Sequence, residues 1–346
     1  MKAAVIGTGF IAIRHHLPAW QRLKPDVELA AVCDIDPASA AAAAERFGAA
    51  ASYDDFTELL DREQPDFVDI CTPPASHADI AVKALEHGAA VLIEKPLALS
   101  PAECQRIVDA ESNSDGRVEV AHTDLFNPVV VEAHRRIARG DIGEISGMRL
   151  LYVTPTSLYA ADPDHFANRL PGGLIGETGP HVLYLSQSFI GPLKQSWVRA
   201  SKVLPQYPWS PYDDYRIELL GERVSCSAVL TYTLDHGGYL VDIWGPDGVL
   251  RLDMQSKLLV HHKRSNTSPL GIGTSNLRDV AQVFKGTVGN AFNYLSGRLA
   301  SPHERTIRSF VQRTIEGLPP MVSAADGMEN CRQSADLAAQ IDSASG

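Results

Sequence analysis

Three side chains in this 346-residue chain have the types and spacing to move a proton. Glu177 and His181 lie one helical turn apart in "GGLIGETGPH" (172–181), so on a helix both would project from the same face. Lys95, in "EKPL" (94–97), follows an apolar run that reads as a strand. An imidazole, with an ordinary pKa of about 6.5, already works as a base near neutral pH. A lysine amine does so only when burial or a nearby cation lowers its pKa to ~7–8. A carboxylate such as Glu177 would orient either group and favour its protonated form. Taken alone, the Glu177/His181 pair could equally be a helix-dipole carboxylate and a satisfied core histidine. The surrounding elements decide between these readings.

The first third alternates strand-like and helix-like segments. "KAAVIG" (2–7), "VELAAVCD" (27–34), "DFVDICT" (66–72) and "AAVLIE" (89–94) are short β-branched runs. Between them, "PASAAAAAERFG" (37–48) opens on Pro and stops at Gly48. "SHADIAVKALEHG" (76–88) starts with an S-x-x-D capping box and ends on Gly88. This alternation predicts an α/β fold with a doubly wound parallel sheet.

"GTGFIA" (7–12) sits between the first strand and a helix and matches G-x-G-x-x-G/A. Gly7 makes the tight turn, Gly9 admits a pyrophosphate, and Ala12 allows close packing; Phe10 and Ile11 contribute first-turn amides. Asp34 ends the next strand, where an acidic residue accepts from ribose hydroxyls and repels a 2′-phosphate, favouring NAD over NADP. Ligands of open α/β sheets sit outside the carboxyl ends of the strands, which adds Thr72, Pro73, His77, Glu94 and Lys95 to the expected cofactor contacts.

Composition narrows the function classes. With 45% hydrophobic and 21% charged residues the chain reads as an ordinary globular protein of about two domains. Its net charge of −11 and the lack of any basic block longer than "HHKR" (261–264) argue against nucleic acid as a partner. Cys33, Cys71, Cys104, Cys226 and Cys331 are scattered, which predicts reduced thiols in a cytoplasmic protein, without a zinc site. His261 and His262 would face opposite sides of a strand and make a poor metal pair. "MKAAVIGTGFIAIR" lacks a small-residue cleavage site, and no run approaches ~18 apolar residues, so no membrane span is expected.

From about 145 to 263 the chain changes character, with strand-like runs such as "ISGMRLLYVT", "YRIELLG", "VSCSAVLTYT", "GYLVDIWG", "GVLRLDM" and "KLLVHH". "SNTSPLGIGTSN" (265–276) reads as a loop, followed by helical segments near 277–299, 302–317 and 323–342. No internal repeat is visible.

With these residues in view, the chain resembles the glucose–fructose oxidoreductase / inositol dehydrogenase / MocA (Gfo/Idh/MocA) family. The resemblance is carried by "GTGFIA", Asp34, "CTPPASH" (71–77), "EKPL", "FNP" (126–128), "GDIGEI" (140–145) and "GGLIGETGPH", in family order over nearly the whole chain. It implies an N-terminal NAD-binding Rossmann domain (1–121). It also implies a C-terminal α+β domain (122–346) with a large, mostly antiparallel open sheet, substrate binding and a homo-oligomer contact through that sheet, its C-terminal helices packing back on the core. By the family's pattern Lys95, Glu177 and His181 form the catalytic group. The chain departs from the commoner pattern at Glu177 and Tyr184, where Asp is frequent, and at Leu125, where Arg is frequent. These departures bear on substrate and proton geometry.

The implied reaction is hydride transfer between nicotinamide and a sugar, cyclitol or sugar nucleotide, with Lys95 or His181 handling the hydroxyl proton. Candidate substrate contacts are His122 and, in "YAADPDHFANRLPGG" (159–173), Asp162, His165, Asn168 and Arg169, which are equally ordinary loop residues. Two alternatives stand beside this: a glycosidase-like enzyme that retains its NAD without net oxidation, and a non-catalytic sensor on the same fold.

Overall fold

The computed structural model describes residues 1–263, 267–297 and 300–344. The chain divides into two compact units, Met1–Thr123 with Ala300–Arg332, and Asp124–Leu299 with Gln333–Gly346.

The first unit is built on β1 (Lys2–Ile6), α1 (Leu17–Gln21), β2 (Glu28–Cys33), α2 (Pro37–Phe47), β3 (Ala51–Tyr53) and α3 (Phe56–Glu63). It continues with β4 (Phe67–Ile70), α4 (His77–Glu86), β5 (Ala90–Ile93), α5 (Pro101–Ser112) and β6 (Val118–Val120). The strands form one parallel sheet in the order β3-β2-β1-β4-β5-β6, the doubly wound order whose switch point lies beside β1. β4 and β5 are buried along their whole length, as a sheet covered on both faces requires. Local chemistry sets the helix ends. Asp36 caps α2 by accepting from the Ala38 N–H, Pro37 opens it, and Gly48 closes it at φ 69°. α4 departs from the expected capping box: the Ser76 hydroxyl donates instead to Thr72 Oγ1 (2.9 Å) and the Pro73 carbonyl (3.0 Å). A 3-10 turn over Pro74–Ser76 has turned that side chain back on its own loop.

The second unit contains α6 (Pro128–Ala138), β7 (Gly147–Pro155), α7 (Ile175–Ile190), β8 (Gln195–Ser201), β9 (Asp214–Leu220) and β10 (Ser225–Leu234). It continues with β11 (Gly238–Gly245), β12 (Gly248–Asp253), β13 (Leu258–His262) and α8 (Pro269–Leu295). The sheet runs β13-β12-β11-β7-β10-β9-β8, antiparallel throughout except for the β7–β10 pair. One face packs under α6 and α7 around Val130, Leu150, Leu183, Ile217 and Val241. The opposite face carries Arg149 and Arg251 on Asp242, along with exposed Leu151, Trp197 and Leu240. The expected two-part architecture, a Rossmann sheet followed by a mostly antiparallel one, is what the chain adopts.

Two expectations need correction. The stretch 269–276, read as loop, is the start of α8; Ser268 accepts from the Gly271 N–H and Pro269 occupies the first turn, so Gly271 and Gly273 sit inside a helix. Residues 265, 266, 298 and 299 lie outside the described residues. The second correction concerns the assignment of 122–346 to one domain. α9 (Pro302–Ile315) belongs to the first unit, because its Ile307, Phe310 and Val311 complete the core formed by Trp20 and Phe67. The Phe67 and Phe310 rings meet edge to face at 5.7 Å, and Glu304 accepts from Arg22 at 2.6 Å. The last helix, α10 (Ala324–Ala344), contains the third boundary between the units, after Arg332.

Candidate active site

In the first unit, the glycine turn after β1 has a form that only its own residues permit. Gly7 adopts φ 94°, and a Cβ there would lie 2.7 Å from the backbone of Cys71 and Thr72. At Gly9 a Cβ would meet nothing within 4 Å, which leaves open space over the turn. The Ile13 N–H bonds back to the Gly9 carbonyl (3.0 Å), so the first-turn amides of Phe10, Ile11 and Ala12 are the donors for an anion. Asp34 is tied to this turn: Oδ2 accepts from the Thr8 N–H (2.8 Å) and hydroxyl (2.9 Å), and Oδ1 from the Asp36 N–H (3.1 Å). A carboxylate has about four acceptor positions, so one remains for a ribose hydroxyl. The turn, the open space and the fixed acceptor fit a dinucleotide.

The loops after β4 and β5 are joined through His77. Its ring, fully buried, lies between the Thr72 carbonyl (2.9 Å) and the Pro96 carbonyl (3.0 Å), and burial lowers its pKa. His77 therefore shapes the Lys95–Pro96 turn from behind. Glu94 is also buried; Oε1 faces His16 Nε2 at 2.9 Å and Oε2 accepts the Lys95 N–H at 3.1 Å. Thr72 is half-buried, Pro73 exposed, Phe10 prominently exposed at 75%, and His122 buried.

In the second unit, α7 carries Glu177 and His181. Its approach is fixed by Gly172 and Gly173, at φ 72° and 76°. The Tyr215 hydroxyl donates to the Gly172 carbonyl (3.1 Å), the Tyr232 hydroxyl to the Leu174 carbonyl (2.8 Å), and Thr178 hydrogen-bonds Tyr232. Pro180 lies inside the helix and supplies no N–H toward Gly176. Glu177 and His181 are both half-buried, between turns of the helix that are fully buried.

His181 is held by Asp124, which the sequence reasoning missed, and by Tyr184, which it named only as a departure from the commoner family pattern. Its Nδ1 lies 2.8 Å from Asp124 Oδ2 and 2.7 Å from the Tyr184 hydroxyl, which itself donates to Asp124 Oδ2 at 2.9 Å. An ionised carboxylate only accepts, so the Nδ1 hydrogen faces Asp124 and Nε2 is the ring's other working atom. Burial, reinforced by Asp124, holds the Tyr184 pKa well above the ordinary value, so it stays a phenol. Tyr159 is pushed up to about 12 by burial and then by Glu177. The signal for Asp124 was its place in "HTDLFNP"; that for Tyr184 was its i+3 spacing from His181 on one helix.

The loop before α7 spends much of its polar capacity on itself. Asp162 Oδ1 accepts the Asp164 N–H (3.0 Å), and Asn168 donates to the Asp162 carbonyl (2.9 Å). His165 Nδ1 accepts the Ala167 N–H (3.2 Å), and its ring meets Tyr159 edge-on at 4.5 Å. Arg169 is exposed, 3.8 Å from Asp164. His262, expected to be a poor metal ligand, pairs with Asp279 at 2.7 Å.

The doubly wound sheet and the glycine turn define a Rossmann-type unit suited to a dinucleotide. Residues 1–122 match the oxidoreductase family GFO_IDH_MocA, with its NAD-binding Rossmann fold. It is similar to the D-apiose dehydrogenase of Paraburkholderia graminis, at 27% identity over 269 residues, 76% of this chain and 70% of that protein. It is also similar to the inositol 2-dehydrogenase of Salmonella paratyphi B, at 34% over 146 residues, 42% of this chain and 43% of that protein. A solved Agrobacterium radiobacter oxidoreductase in complex with NAD+, L-tartaric acid and magnesium shares the fold, with a TM-score of 0.80 at 20% identity over 99% of this chain and 97% of that one.

Proposed function

We propose that this chain is an NAD-dependent dehydrogenase or reductase acting on a hydroxyl- or carbonyl-bearing carbon of a sugar, cyclitol or sugar nucleotide. The observation that carries the reading is the imidazole of His181, oriented through Nδ1 by Asp124 and Tyr184, as a proton-transferring histidine requires. NAD, when bound, accepts or returns the hydride. The chain does the rest. Gly7 and Gly9 admit the pyrophosphate, and Asp34 accepts from the ribose, favouring NAD over NADP. Lys95 and His181 Nε2 are the groups that take and return the substrate proton, with Glu177 supplying charge beside the imidazole.

For substrate contact we assign His122, His165 and Arg169, with Asp162 and Asn168 shaping the loop. The dehydrogenase relatives acting on apiose and inositol support a polyhydroxylated substrate. The five buried thiols suit a reducing cytoplasm. The exposed apolar residues Leu151, Trp197 and Leu240 suit a homo-oligomer contact through the sheet, which sedimentation of a Trp197→Glu variant would test.

A panel of sugars and cyclitols with NAD(H), followed at the nicotinamide absorbance, tests the function. The expected result is reduction of NAD+ by at least one polyol. Cofactor that co-purifies, never exchanges and gives no net NADH would replace this reading with the glycosidase-like cycle. Tight ligand binding without any turnover would replace it with the sensor.

A further inference from the structure

The first unit contains a buried charge cluster that the proposed reaction does not use directly. His16 closes a π-helical stretch, Ala12–His16, that follows the glycine turn. Such stretches widen the helix and are frequent at functional sites. Its ring is 1% exposed, with Nδ1 2.8 Å from Asp69 Oδ2 and Nε2 2.9 Å from Glu94 Oε1. Trp20 also donates to Asp69 Oδ2 at 2.6 Å, Cys71 to Oδ1 at 3.6 Å, and the Lys95 N–H to Glu94 Oε2. Both carboxylates thus receive several donors, which favours their ionised forms. Ionised carboxylates cannot donate, so both ring nitrogens of His16 must, and the ring is an imidazolium.

We propose that His16, clamped between Asp69 and Glu94, is a positioning residue for Lys95. Its charge keeps the Glu94 carboxylate turned into the core, and so sets both the backbone and the local field from which the Lys95 amine works. The inference rests on the reading of Lys95 as a proton carrier. Glu94, the clamp residue that precedes Lys95 directly, touches both His16 and the Lys95 backbone.

The electrostatics agree. Burial opposes the charge on His16, yet Asp69 and then Cys71 hold its pKa well above the ordinary value. Burial likewise opposes ionisation of Glu94, but His16 brings it down to about 2, with His303 and Lys95 adding to the effect. The ionisable groups around the ring are Asp69 from β4 and Cys71 just after it, Glu94 after β5, His303 from α9, and His15 from its own stretch; Lys95 acts on Glu94. His303 meets His16 edge-on at 5.5 Å and stacks on His15 at 4.3 Å, and burial lowers the His15 pKa. His16 is therefore the buried cation that offsets Asp69 and Glu94. Without it, the field at Lys95 becomes more negative and its amine holds the proton to higher pH.

The test measures Lys95 itself. Lysines of the full-length protein are reductively 13C-methylated, and the Lys95 resonance is identified by its loss in Lys95→Arg. His16→Gln keeps a donor toward Glu94 and removes the charge; Lys95 should titrate roughly one pH unit higher. Glu94→Gln removes the negative partner, and the titration should move lower. A merely structural histidine would not move the two variants in opposite directions. Nitrogen-15 spectra of the unsubstituted protein should show the His16 ring doubly protonated at pH 8, a result that does not depend on either variant folding. A neutral ring at that pH, or an unmoved Lys95 in His16→Gln, overturns the proposal. If Lys95 shifts while the pH–rate profile stays put, the clamp stands and the role of Lys95 in turnover falls.

Discussion

Asp124 Oδ2 lies 2.8 Å from Nδ1 of His181, and the Tyr184 hydroxyl touches both atoms. The carboxylate comes from the 3-10 turn Thr123–Phe126 and the other two groups from one face of α7, so a helix and a loop far apart in sequence fix one tautomer. Asp124→Asn keeps the shape but replaces an acceptor-only group with one that also donates. Turnover should fall about 10–100-fold, the range seen when a partner orienting a functional histidine is removed. Tyr184→Phe leaves Asp124 in place and should cost less, about 1 kcal/mol or fivefold. Steady-state kinetics of both variants check the order; a larger loss in Tyr184→Phe would mean that Tyr184, not Asp124, governs the ring.

Lys95→Ala should reduce turnover by roughly 10²–10⁴ while NAD still binds, because the pyrophosphate contacts belong to the glycine turn. Quenching of protein fluorescence by NADH measures binding separately from turnover. Near-normal turnover would leave Lys95 with a packing role alone.

Asp34→Ser should narrow the preference for NAD over NADP, since the fixed negative charge is removed and a small polar side chain remains. The Thr8 and Asp36 amides that Asp34 now accepts from would lose that acceptor, so binding of NAD itself should weaken. Dissociation constants for both cofactors check this. Equal affinities in the unsubstituted protein would remove Asp34 as the discriminating group.

Glu119 predicts a pH dependence of stability that is independent of any substrate. It is buried in β6, with Oε2 accepting the Met321 N–H (3.3 Å) and Oε1 without a partner among the described residues. Burial raises its pKa to about 7 from an ordinary 4.5. A carboxyl whose pKa is raised on folding favours the folded state in its protonated form. Stability is therefore fullest below 4.5 and declines as pH rises toward 7, by up to about 3 kcal/mol. Glu119→Gln, a neutral isostere, should raise Tm at pH 8 and change it little at pH 5. An equal change at both pH values would show that Glu119 does not titrate in this range.

The sequence revealed those features whose causes are local. "GTGFIA", Asp34 and the Pro-to-Gly span of α2 were legible because turn geometry and caps depend on a few neighbouring residues. The start of α8 was misread because Ser, Pro and Gly signal a loop and an N-cap alike, and only the Ser268 contact separates them. His16 carried no signal in the sequence, because its carboxylate partners come from β4 and from the residue after β5, and no spacing rule connects them. Asp124 was hidden for the same reason, and Ser76 was misassigned because a 3-10 turn redirected its hydroxyl.

The return of α9 to the first unit has a consequence for synthesis. The surface that Phe310 covers on Phe67 is made early, but its cover leaves the ribosome roughly 240 residues later, about 12–50 s at ordinary elongation rates. Over that interval the nascent Rossmann sheet presents an uncovered aromatic seam to solvent. Vectorial folding of this unit therefore cannot finish domain by domain, and a nascent-chain chaperone would find its binding surface at Trp20 and Phe67 until translation reaches α9.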